Sequence, residues 1–66
     1  MVFRFATKRS ANGYRKYIII DTEHKQYATE PAHLFNREDY TEVSAADRRK
    51  LIEQAERDNM TRVDHI

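Results

Sequence analysis

Residues 2–21 read VFRFATKRSANGYRKYIIID, and the pair Asn12-Gly13 in the middle of that stretch decides the fold. Asn-Gly is the preferred pair for a two-residue hairpin turn of type I′, because both central residues need positive φ and these two tolerate it best. Gly13 is also the only glycine of the chain. The flanking segments, Val2 to Thr7 and Tyr14 to Asp21, are rich in β-branched and aromatic residues. A two-residue loop fixes the pairing. Ala11 then faces Tyr14, Arg9 faces Lys16, Thr7 faces Ile18, Phe5 faces Ile20 and Phe3 faces Thr22. On the other face Ser10 meets Arg15, Lys8 meets Tyr17, Ala6 meets Ile19 and Arg4 meets Asp21. This pairing gathers Phe3, Phe5, Ile18 and Ile20 on one side, as a half-buried hairpin requires. The opposite side is not fully polar, since it carries Ala6, Tyr17 and Ile19.

Outward from the hairpin, Gln26 to Thr29 suits a third strand after a turn at Thr22 to Lys25. Asp21 would pair with Gln26, placing Tyr27 beside Ile20, and Glu30-Pro31 would end the strand. Residues 31–43 read as a connector with a short turn or a one-turn helix near Pro31 to Phe35, anchored by Leu34 and Phe35. Ser44 has the character of an N-cap, with Asp47 favouring the helix N-terminus. A helix is expected from about Ala45 to Asn59. Its apolar stripe is Leu51, Ile52 and Ala55, widened by Ala45 or by the stems of Arg48 and Lys50. Thr61 to Ile66 is expected to fray or to add a short strand. The predicted class is α+β: an antiparallel N-terminal hairpin, extended to a three-stranded sheet, packed against one C-terminal helix. As architecture alone, such a sheet followed by a helix resembles the arm-binding domains of tyrosine integrases, which are small sheet-type DNA-binding domains.

Length bounds the rest. A chain of 66 residues holds one domain, taken here as residues 1–66. Leu, Ile, Val and Phe together number 13, so the core is small. Mean hydropathy is −0.94, yet a net charge of only +1 argues against disorder. There is no cysteine, hence neither a disulfide nor a thiolate zinc site. Small domains short of core often gain stability by self-association, which makes a homodimer an expectation. No apolar run of membrane length and no secretory leader are visible, so a cytoplasmic location is expected.

Charge is distributed unevenly. The first 20 residues hold Arg4, Lys8, Arg9, Arg15 and Lys16 and no acid, whereas all 11 acids follow. Four of those five bases lie around the turn. Like charges facing each other across a ribbon are unfavourable, so clustering them makes sense if an anionic partner compensates. Lys8, Arg9, Arg15 and Lys16 are the candidate phosphate contacts. Tyr14 is a stacking or hydrogen-bonding group for nucleic acid, and Tyr17 offers a second flat face. The bland alternative is a solvated edge whose cations only prevent aggregation. A protein-interaction or adaptor role, as a homodimer through the apolar face around Ala6, Tyr17 and Ile19 together with the acidic C-terminal half, is the other functional alternative.

Catalytic and metal chemistry find little footing. There is no G-x-S-x-G elbow and no glycine-rich phosphate loop. His24, His33 and His65 lack the tight spacings of metal ligands. So small a core is also expected to leave no concave site of a few hundred Å³. The expectation is a non-catalytic binding module, without cofactor, metal or small-molecule substrate.

Overall fold

The computed structural model describes residues 1–29, 39–64 and 66. In chain order the elements are β1 (Val2–Ala6), β2 (Tyr17–Asp21), β3 (Gln26–Ala28), β4 (Thr41–Glu42), α1 (Ala45–Arg57) and β5 (Thr61–Arg62). The five strands form one mixed sheet in the order β4-β1-β2-β3-β5. Antiparallel β1, β2 and β3 make its centre, and α1 packs against it. The class is α+β, as expected, but the sheet has five strands rather than three. β4 adds in parallel to β1 and β5 in parallel to β3. Each outer strand is only two residues long and exposed.

The hairpin is present with a different register. Phe3 lies opposite Ile20, Arg4 opposite Ile19, Phe5 opposite Ile18 and Ala6 opposite Tyr17. The partners are shifted by two residues from those a two-residue turn would set. An even shift moves every side chain along its own face and never across the sheet. Phe3, Phe5, Ile18 and Ile20 therefore remain together, now beneath α1. Arg4 loses the expected Asp21 partner and reaches Asp39 instead, at 3.8 Å. Asp21 lies opposite Val2.

Pairing of β2 with β3 follows the expected register, with Asp21 opposite Gln26 and Ile20 opposite Tyr27. The turn between them is built by Asp21 itself. Its carboxylate accepts the N–H groups of Glu23 and His24 at 3.1 and 3.2 Å and contacts the His24 ring nitrogen Nδ1 at 2.8 Å. Lys25 completes the reversal at φ 51°.

Helix α1 begins where the sequence placed it. Ser44 is extended, and its hydroxyl accepts the Asp47 N–H at 3.0 Å. The helix ends at Arg57, two residues before the expected Asn59. Asn59 sits at φ 58°, the Asn59 N–H donates to the Glu56 carbonyl and the Met60 N–H donates to the Ala55 carbonyl. That double closure is a Schellman motif, for which asparagine is the usual substitute for glycine. Ala55 is the one fully buried helical residue, with Leu51, Ile52 and Arg48 half-buried. Arg48 does more than extend the stripe. Its Nε donates to the Tyr17 carbonyl at 3.1 Å and its Nη2 to the Thr29 carbonyl at 3.2 Å. The helix is thereby fastened to the ends of β2 and β3.

The opposite sheet face is covered within the chain. Ala6, Tyr17 and Ile19 are 0, 0 and 1% exposed, and Val2, Tyr40 and Ile66 pack against them. The rings of Tyr17 and Tyr40 lie 5.8 Å apart. The expectation of a free apolar patch at Ala6, Tyr17 and Ile19 is thus corrected: these side chains are core. Tyr40 and Ile66, remote in sequence, supply the cover. The turn expected at Pro31 to Phe35, with Leu34 and Phe35 as anchors, lies outside the described residues.

Candidate nucleic-acid interface

Beyond Ala6 and Tyr17 the two chains of the hairpin continue as a bulged ribbon rather than a regular ladder. The Thr7 N–H donates to the Lys16 carbonyl at 2.7 Å, and the Lys16 N–H returns a bond to the Thr7 hydroxyl at 3.0 Å. Nearer the tip, the Ser10 N–H donates to the Tyr14 carbonyl at 2.7 Å and the Gly13 N–H to the Ser10 carbonyl at 2.9 Å. Gly13 has φ 81°, while Asn12 is not among the residues of positive φ. This is a three-residue loop, a four-residue turn closed by a left-handed glycine, and not the type I′ turn expected.

The loop type explains the register. The extra loop residue displaces the pairing by one position. Between the Ser10–Tyr14 and Thr7–Lys16 contacts, one strand has two residues, Lys8 and Arg9, and the other has only Arg15. That is a second displacement of one. Two odd steps give the even shift that preserves the core face. Lys16 is consequently beside Thr7, so the expected juxtaposition of Arg9 and Lys16 does not form.

The sequence candidates divide three ways. Lys8, Tyr14, Arg15 and Lys16 line one open cavity of about 560 Å³. Its far wall is the β4–α1 junction, at Val43, Ser44 and Ala45. Arg9 does not line it; the Arg9 Nη1 donates to the Gly13 carbonyl at 3.2 Å and braces the turn. Tyr17, the second stacking candidate, is buried. Tyr14 is 55% exposed. The expectation that so small a chain lacks a concave site is also corrected. A second cavity, of about 300 Å³, lies between Phe3, Phe5 and Ile20 of the sheet and Leu51 and Met60.

Lys8, Arg9 and Lys16 are exposed and Arg15 is half-buried. Among the described residues the ion pairs are Arg4–Asp39 and Asp21–His24, so none of the four hairpin cations is neutralised by a carboxylate. The Arg15 guanidinium carbon stands 5.8 Å from the Tyr40 ring centroid, within cation–π range. Tyr40 thus both packs on the core and contacts one of the groove cations. Uncompensated cations beside a concave wall raise the local potential and attract anions.

Sequence reasoning missed the wall at Val43 to Ala45. Ser44 was legible as a cap but not as a neighbour of the hairpin. That adjacency depends on β4, whose side chains are exposed, and on the bond from the Val43 N–H to the Ala6 carbonyl at 2.9 Å. Among the described residues no three His, Cys, Asp or Glu side chains group as metal ligands, and no helix is long and apolar enough to cross a membrane. No protein-family model, curated protein or solved structure was found to match the chain.

Proposed function

We propose that the protein is a non-catalytic nucleic-acid-binding module acting through its basic hairpin. The observation that carries this reading is the convergence of Lys8, Arg15 and Lys16 on one groove with no carboxylate, among the described residues, to neutralise them. Backbone phosphates are the abundant biological anions that engage several cations in sequence, and releasing their counterions drives association. Arg9 supports the site by holding the turn, and its guanidinium retains donors for a phosphate. The apolar residues named for the adaptor alternative, Ala6, Tyr17 and Ile19, are buried in the core.

The test is a salt titration. With three cations on phosphates, the logarithm of affinity falls against the logarithm of salt with a slope of roughly −2 for a single strand or −3 for a duplex. Lys8→Glu with Lys16→Glu abolishes binding at low salt. Both side chains are exposed, so the circular-dichroism spectrum stays that of the parent. A parent protein that ignores nucleic acid at low ionic strength, or a double variant that binds like the parent, refutes the proposal.

A further inference from the structure

We infer that the groove takes an unpaired nucleic-acid strand in preference to a duplex, with one base stacked on Tyr14 and the flanking phosphates held by Lys8, Arg15 and Lys16. The inference rests on the nucleic-acid reading above and narrows its ligand.

Shape is the first argument. A ribbon that reads a duplex must project into a groove about 12 Å wide. Here Lys8, Arg15 and Lys16 do not crown a bare projection; they line a concavity closed on its far side by Val43, Ser44 and Ala45. A cavity of about 560 Å³ is of the size that encloses a small ligand, which corresponds to a nucleotide or two and not to the girth of a double helix. A flexible single strand can lower one nucleotide into it.

Chemistry agrees. Three large apolar side chains remain exposed among the described residues: Met1, Phe3 and Tyr14. Of these only Tyr14 lies among the cations, in the same groove. An aromatic ring in the same groove as three cationic side chains matches a nucleotide, which has a flat apolar base and a charged phosphate. Such pairing of stacking with a basic groove is how sequence-tolerant single-strand binders work. In a duplex the base faces are hidden by stacking, and Tyr14 would have only edges and backbone to meet. Val43 and Ala45 add apolar wall against which the far side of a base can rest. Phosphate is common to DNA and RNA, so the sugar is left to the experiment.

The experiment measures fluorescence anisotropy at low salt with a labelled 12-nucleotide oligothymidine, an oligouridine of equal length and a 12-base-pair DNA duplex. The expected result is at least ten-fold tighter binding to one or both single strands than to the duplex. Whichever strand binds more tightly identifies the sugar. Tyr14→Ala weakens single-strand binding by roughly 5- to 150-fold, the range for loss of one stacked base, and weakens duplex binding by a smaller factor. Tyr14→Phe, which keeps the ring, stays within about two-fold of the parent. Equal or tighter binding to the duplex, or a Tyr14→Ala variant with undiminished single-strand affinity, overturns the inference. If in that case Lys8→Glu with Lys16→Glu still abolishes binding, the broader nucleic-acid proposal survives alone. If the parent binds none of the three probes, both fall.

Discussion

Ile19 gives the sharpest test of how this chain holds together. It is 1% exposed, on the sheet face away from the helix, beside Ala6 and Tyr17 and under Tyr40 and Ile66. The same residue would dominate a dimer contact if that face were open. The two arrangements predict opposite behaviour. In the core, Ile19→Val removes one methylene at about 1 kcal/mol, and Ile19→Ala costs about 2–5 kcal/mol. A chain of 66 residues has a total stability of roughly 3–10 kcal/mol at about 0.05–0.15 kcal/mol per residue. Ile19→Ala therefore removes a large part of it. Ile19→Arg buries an unpaired charge and leaves no folded state. For a domain of this size each 1 kcal/mol lowers Tm by roughly 4–8 °C. Thermal melts followed by far-ultraviolet circular dichroism should show Ile19→Val melting about 4–8 °C below the parent, and Ile19→Arg without a transition. A folded Ile19→Arg protein with the parent's Tm and an altered sedimentation coefficient would refute the core assignment and restore the interface.

Three further predictions concern the turns and the cap. Gly13→Ala costs about 1–2 kcal/mol through its φ of 81° alone, since a Cβ there meets nothing within 4 Å, whereas Asn12→Ala is nearly neutral; equal losses in urea titrations of the two variants would restore the type I′ turn. The His24 hydrogen bond holds the Asp21 carboxyl below its ordinary 3.8, and the same bond raises His24 above its ordinary 6.5. The Asp21 contribution is present above about pH 4 and lost as pH falls through its depressed value; the His24 contribution is present below about pH 6.5 and lost as pH rises through its raised value. Stability is thus expected to peak between about pH 4 and 6.5, and His24→Gln should flatten the alkaline limb of a Tm-against-pH curve; an unchanged limb would mean that the pair contributes nothing. Ser44→Ala removes the acceptor for the Asp47 N–H and should lower Tm by about 4–8 °C, for a loss near 1 kcal/mol, with any shift under 1 °C contradicting the cap.

How far the sequence reached depends on whether a signal was local. Ser44 and Asp47 specify the helix start by adjacent chemistry, and the structure begins the helix there. The helix end was set by Asn59 in the left-handed region, a role open to asparagine but not obvious without glycine. The hairpin core survived an error in turn type because its two register displacements cancel in parity: Phe5 meets Ile18 instead of Ile20, and both are on the same face. Electrostatic detail did not survive, since Arg4 moved from Asp21 to Asp39. β4 was illegible for a physical reason, whereas β5 falls within Thr61 to Ile66, where a short strand was one of the two expected outcomes. Each is two exposed residues long, too short for any alternation, and each is held by bonds such as those from Val43 to Ala6 and from Val63 to Tyr27 that carry no sequence signature. The groove inherits that illegibility, because β4 brings its far wall into place.

The division of labour along the hairpin links folding to ligand choice. From Val2 to Ala6 and from Tyr17 to Asp21, most side chains are buried or half-buried against α1 or under Tyr40 and Ile66, Phe3 being the exposed exception, and the ladder is regular. From Lys8 to Tyr14 every residue is exposed, and the ladder gives way to a bulged loop. A regular type I′ hairpin would have carried the ladder to the tip and set Arg9 against Lys16, with a repulsion built into the fold. The bulged loop instead places Lys16 beside Thr7, turns Arg9 onto the Gly13 carbonyl and brings Lys8, Arg15 and Lys16 around one cavity. Bulges commonly re-aim side chains next to functional sites. The cations are thus oriented by a part of the chain whose local geometry hardly touches the core. Charge reversal there should change binding while leaving the melt nearly unmoved, and Ile19→Val should lower the melt while leaving groove contacts in place. The two systems meet at the Arg15–Tyr40 contact, since Tyr40 covers Tyr17 and also stands within cation–π range of a groove cation. Tyr40→Leu should therefore keep most of the core cover yet release Arg15 from the groove wall. It is expected to lower both Tm and affinity, each in part.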